Sequence, residues 1–214
     1  MHDTPATTGY YRTGFQVALL QLCSLGLYFP YWLIRSRAVA NRRLDRPPTP
    51  WFFWLMLFVP IVFFYPLFST LSLLQRSCKK NIRPRVNFVF LGVIFGILTV
   101  CWRYPGTYDL LGLLTIVPLG LMQFYSYAVD VTLSAPSADR LRLHWIEKLI
   151  VVLGIALVPL TILGSFSDSA NANFSPTPGF IAIAVDLAFL IWLRRSGGFP
   201  TLLHATRNLL TTDD

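Results

Sequence analysis

One acid interrupts an apolar run near the carboxyl end of the chain. In "FIAIAVDLAFLIW", from Phe180, Asp186 has uncharged neighbours for several turns on either side. A carboxylate at mid-bilayer costs about 2.5 to 3.5 kcal/mol on insertion scales, so such an acid is a functional candidate by default. Three readings stay open for it: a hydrogen-bonding contact between helices, a proton or cation site, or a helix that is not fully inserted. A second group, His144, Glu147 and Lys148, combines an imidazole, an acid and a base beside Trp145. Those residue types could do acid–base work, but consecutive positions on a helix point about 100° apart, so they read as side chains reaching for the headgroups. His2 and His204 lie in the tails, so no histidine pair faces across a bilayer to hold haem. Cys23, Cys78 and Cys101 are far apart and have no metal or redox spacing. No phosphate loop, H-E-x-x-H or G-x-S-x-G is present. Without a constellation, the chain is not expected to be an enzyme or to hold a cofactor.

The elements that carry these residues are apolar runs. The 214 residues are 54% hydrophobic and 13% charged, with a mean hydropathy of +0.55. Globular chains carry roughly 25% charged residues, so an integral membrane protein is expected. The net charge of +8 is not a nucleic-acid signature. Ten of the eighteen Lys and Arg, namely Arg35, Arg37, Arg42, Arg43, Arg46, Arg76, Lys79, Lys80, Arg83 and Arg85, flank apolar segments, the placement that meets anionic lipid headgroups. Six runs stand out, at about 14–34, 51–75, 87–102, 110–129, 145–165 and 179–193. The third and sixth are short of the roughly 20 residues that a crossing needs. All six tryptophans lie near run ends, which reads as an aromatic belt.

The chain is read as all-α and polytopic, a single membrane domain of five or six spans. The 165–178 loop has no Lys or Arg and is placed outside, while the tail with Arg194, Arg195 and Arg207 is placed inside. Segment 51–75 is basic at both ends, and two resolutions exist. It dips and returns, kinked at Pro60 and Pro66, which keeps every strongly basic loop cytoplasmic and leaves five crossings; or it crosses, which leaves five arginines outside. The first is favoured. Sliding the chain by 94 residues pairs Leu25-Gly26-Leu27 with Leu119-Gly120-Leu121, Asp45-Arg46 with Asp139-Arg140 and Trp51 with Trp145. That register suggests a duplication of three runs, over 10–102 and 104–193.

In "LCSLGLYFPYWLIRSRAVANRR", from Leu22, Gly26 and Pro30 loosen the helix ahead of the arginines. The stretch Leu25-Gly26-Leu27-Tyr28 with Tyr31-Trp32, the aromatic second run and Trp102-Arg103-Tyr104-Pro105 resemble a family of small bacterial membrane proteins defined by a domain of unknown function. The likeness covers about 10–165. It implies a bacterial inner-membrane address and no established activity, and it transfers no catalytic residue. The expected role is an accessory, sensing or scaffold subunit; the alternative is a small transporter or channel with Asp186 in its pathway. Expected partners are anionic membrane lipids, with a protein partner or a homo-oligomer as further candidates, and no nucleic acid.

Overall fold

The computed structural model describes residues 12–56, 59, 62, 64–79, 84, 86–101, 106–133, 143–171 and 175–196. Helix α1 is Gly14–Cys23 and α2 is Tyr28–Arg43. Thr13 caps α1 through a reciprocal box, its hydroxyl accepting from the Gln16 N–H while the Gln16 side chain accepts from the Thr13 N–H. Four residues separate α1 from α2. Gly26 sits there at φ +93° and Leu25 at +49°, left-handed backbone that ends the first helix and restarts the chain in a new direction. Pro30 occupies the third position of α2, where no intrahelical bond from its nitrogen is needed. It therefore opens a helix and breaks none.

The run 51–75 is not one helix. It contains the single turn α3, Phe52–Leu55, and then α4, Phe64–Lys79. Pro66 lies in the first turn of α4, so it does not produce the expected kink; Pro60 falls outside the described residues. Helix α5 is Phe88–Cys101. A ten-residue 3₁₀ helix, Gly106–Thr115, then leads directly into α6, Ile116–Leu133. A 3₁₀ helix of this length is uncommon. Helices α5, α7 and α8 all pack on it. Helix α7 is Trp145–Asn171 and α8 is Thr177–Ser196.

The described residues are thus all helical or loop. Among the described residues three helical stretches are long and apolar enough to cross a membrane: Tyr108–Val131, Trp145–Asp168 and Thr177–Ser196. This corrects the expectation of five or six such segments, because α1 and α5 have only 10 and 14 residues, roughly 15 and 21 Å of rise against about 30 Å of hydrocarbon.

The core is centred on Trp32. Val17 and Leu20 of α1, Leu67, Leu71 and Leu74 of α4, Phe88 and Phe95 of α5, and Leu119 and Met122 of α6 bury their side chains in one cluster with it. Trp32 is therefore not a belt residue. Trp51, Trp145 and Trp192 are exposed, as the belt reading requires. Gly154 marks the crossing of α1 and α7: a Cβ there would meet the backbone oxygen of Cys23 at 2.7 Å and overlap its Cβ. Small residues at membrane helix crossings permit this closeness of approach.

Candidate functional site

The basic cluster expected from the sequence divides into two sets. Arg35, Arg42, Arg46, Arg76 and Lys79 are exposed. Lys80, Arg83 and Arg85 lie outside the described residues. Arg37 and Arg43 turn into the protein. The Arg37 guanidinium lies 4.1 Å above the Phe53 ring and donates to the hydroxyls of Thr49 (2.8 Å), Ser69 (3.0 Å) and Thr70 (3.3 Å). It fastens α2 to the α3 turn and to α4. Arg43 forms an ion pair with Asp130 of α6 at 2.6 Å, its side chain 6% exposed. The same guanidinium donates to the Ser126 carbonyl at 2.9 Å and hydroxyl at 3.2 Å, and reaches Ser77 of α4 at 3.5 Å. The expected headgroup contact is thus replaced at Arg43 by a buried acid, which holds α2, α4 and α6 together.

Two of the exposed set shape a pocket at the α2–α3 corner. Arg42 and Arg46 line a cavity of about 380 Å³ together with Ile34, Asn41, Thr49 and Trp54. The Asn41 amide donates to Thr49 at 2.9 Å, fixing the wall of the pocket. Two guanidinium groups, a hydroxyl and an indole around a cavity of this size suit a small anionic group with an apolar attachment.

A second polar assembly joins α1, α2, α6 and α7. Glu147 is 4% exposed. It takes a fork from Arg12, 3.1 Å from Nε and 2.6 Å from Nη2, and accepts from the Tyr28 hydroxyl at 3.2 Å. It also accepts from the His144 backbone N–H at 2.8 Å, which caps α7. The Gln123 amide donates to the Arg12 carbonyl at 2.6 Å and its oxygen accepts from the Trp32 indole at 2.8 Å. Glu147, expected at the headgroups, is buried here instead, and no sequence motif marks Arg12, Gln123 or Asp130. Glu147 did carry a local signal, an acid in the third position of a helix. Its bidentate partner stands 135 residues away, a separation no local pattern reveals.

Asp186 is 5% exposed on α8, and neither of its carboxylate oxygens has a hydrogen-bond partner among the described residues. The contact-between-helices reading needs a partner atom, and none is described. Asp109, on the 3₁₀ helix that packs against α8, accepts from Ser165 of α7 at 2.9 Å through one oxygen. Among the described residues no group of three or more His, Cys, Asp or Glu could hold a metal ion. No protein-family model, curated protein or solved structure matches this chain.

Proposed function

We propose that this chain is a non-catalytic, multi-pass protein of the bacterial inner membrane, held by anionic lipid at its α2–α3 corner and working as an accessory, sensing or scaffold subunit. The reading is carried by one observation: Arg42 and Arg46 converge on a headgroup-sized pocket whose rim includes Trp54. Each arginine near an anionic surface contributes about 1 kcal/mol of attraction. In this proposal the broken pair α1–α2 and the short α5 join the three long helices to give five crossings, their shortfall in length met by local thinning of the bilayer and snorkelling flanks, and α3–α4 forms the dip. The 94-residue register is in keeping with two halves, since it carries the start of α3 to the start of α7 and α5 on to α8.

The test is lipid retention. The purified protein is extracted from vesicles of mixed phosphatidylglycerol and phosphatidylcholine, and its bound lipid is weighed by native mass spectrometry. Arg42→Gln with Arg46→Gln is expected to lower the retained phosphatidylglycerol by roughly tenfold or more. Unchanged retention in the double variant overturns the proposal.

A second reading, a small proton or cation transporter, is favoured by Asp186, a buried acid with no partner among the described residues. Proton or ion flux in liposomes that is lost in Asp186→Asn supports it. Equal flux in the two proteins, or none in either, dismisses it.

A further inference from the structure

A second cavity lies away from the arginine pocket, between the α1–α2 turn and α7. It measures about 730 Å³, within the range of about 300 to 1,000 Å³ usual for small-ligand sites. Its long wall is one face of α7, Ile146, Ile150, Leu153 and Leu157, at the i, i+4, i+7, i+11 spacing of a single helical stripe. Cys23 and Leu27 close the other side. One end is polar, with His144, Glu147, Tyr28 and Tyr31. From Ile146 to Leu157 the helix rises about 16 Å, close to half of a 30 Å hydrocarbon layer. The cleft is therefore one leaflet deep, and its polar end coincides with the start of α7, where exposed Trp145 marks the boundary.

We propose that this cleft holds an acyl chain of an anionic glycerophospholipid from the adjacent leaflet, with the headgroup at the Tyr31 rim. Charge selects the headgroup. Arg12 and Glu147 cancel one another in their fork, whereas Arg35 sits over the Tyr31 ring at 5.5 Å and donates to its hydroxyl at 3.2 Å. Lys148 is exposed beside Glu147 in the first turn of α7, so the net sign at this end is positive. The apolar wall continues into the exposed surface of α7 at Leu149 and Leu160, which border the same stripe, and this gives a chain lateral entry from the bilayer. Gly154, by letting α7 touch Cys23, sets the depth of the cleft.

The experiment uses the full chain in phosphatidylcholine vesicles doped with phosphatidylglycerol that carries a diazirine in its acyl chain. After irradiation, the label is expected on the peptides containing Tyr28–Tyr31 and Ile146–Leu157. Leu153→Trp, which fills the cleft, is expected to lower that labelling by about tenfold. Ile155→Trp, exposed and about 180° around α7 from Ile146, is expected to leave the labelling unchanged. Arg35→Gln is expected to keep the chain contact but to label equally with phosphatidylglycerol and phosphatidylcholine probes. Label spread evenly along the exposed face of α7, or the same result for both tryptophan variants, overturns the proposal. So does a retained phosphatidylglycerol preference in Arg35→Gln, which removes the headgroup assignment, or labelling that falls as protein density rises, which makes a second copy of the chain the occupant. Arg42 and Arg46 are intact in every variant, so failure here leaves the reading of the other pocket standing.

Discussion

The stretch Tyr108–Val131 and helix α7 are both long enough and apolar enough to cross a membrane, yet their surroundings are opposite. Within the crossing window the first is 61% buried by protein and the second 11%. Their polar side chains differ accordingly. Gln123, Ser126 and Asp130 on α6 meet partners outside their own helix: the Trp32 indole and the Arg12 carbonyl ahead of α1 for the amide, Arg43 of α2 for the other two. On α7 the Thr161 hydroxyl donates to the Leu157 carbonyl of its own helix, and Ser165 bonds back to Thr161 as well as to Asp109. Where lipid is the neighbour, a hydroxyl must be satisfied within its own helix, because no solvent is there to do it. Apolar composition identifies both stretches as compatible with a membrane. The placement of polar partners tells which one is held by protein.

The strongest way to break this comparison is at the Arg43–Asp130 pair. Arg43→Gln leaves the Asp130 carboxylate buried without its cation, and removing one partner of a buried pair costs about 3 to 5 kcal/mol. Thermal unfolding in detergent should show a large loss for Arg43→Gln, whereas Leu160→Ala on the exposed face of α7 should stay within about 0.5 kcal/mol. Replacing both partners, Arg43→Met with Asp130→Leu, should recover most of the loss, since similar apolar volume removes the uncompensated charge. Equal losses for Arg43→Gln and Leu160→Ala would mean that α6 is no better anchored by protein than α7.

The same contrast separates what could be read in the sequence from what could not. Apolar runs at helical length are a local property, so 145–165 and 179–193 were legible as the cores of α7 and α8, although α8 extends the second to 20 residues, beyond the length expected of it, and 110–129 hides the passage from the 3₁₀ helix into α6. The first run was legible in part, as Gly26 does interrupt it. The run 51–75 misled because its uninterrupted apolar character conceals a break between a single turn and α4. Basic residues were the harder case. Arg35 and Arg43 look alike as neighbours of an apolar run, and only the three-dimensional path brings Asp130 to one of them. Tryptophan shows the same ambiguity, since Trp32 near a run end resembles Trp145 until α6 presents Gln123 to its indole. Under the expected three-run register the 3₁₀ helix answers to α1, and their packing differs: the 3₁₀ helix packs on α5, α7 and α8, whereas α1 packs mainly on α6 and α7.

A smaller effect sharpens the comparison at the tryptophans. Trp32→Phe keeps most of the ring volume but withdraws the N–H from the Gln123 oxygen, leaving a buried acceptor unsatisfied at a cost of about 1 to 3 kcal/mol. Trp145→Phe removes an N–H at the membrane boundary, and the unfolding transition should barely move. If the two variants unfold alike, Trp32 contributes packing alone and the indole–amide bond is not what orients α2 against α6.

The smallest expected effect is at Cys78, beside the same junction. It is 1% exposed at the end of α4, and burial pushes its thiol pKa up, with Arg43 and Ser77 pulling partly the other way. The folded protein therefore keeps this proton to higher pH than the unfolded chain, whose thiol titrates near about 8.5. Above that pH the unfolded state binds fewer protons than the folded one, so stability contributed by this group is complete below about 8.5 and declines as pH rises through the folded value. Unfolding followed from neutral to about pH 9.5 should show a decline that is reduced in Cys78→Ala. Arg43→Gln removes the nearest cation that stabilises the thiolate, so in that background the Cys78-dependent part of the decline should grow. An identical pH profile with and without the thiol would place Cys78 in contact with solvent, and the α2–α4–α6 junction would then be as open as the outer face of α7.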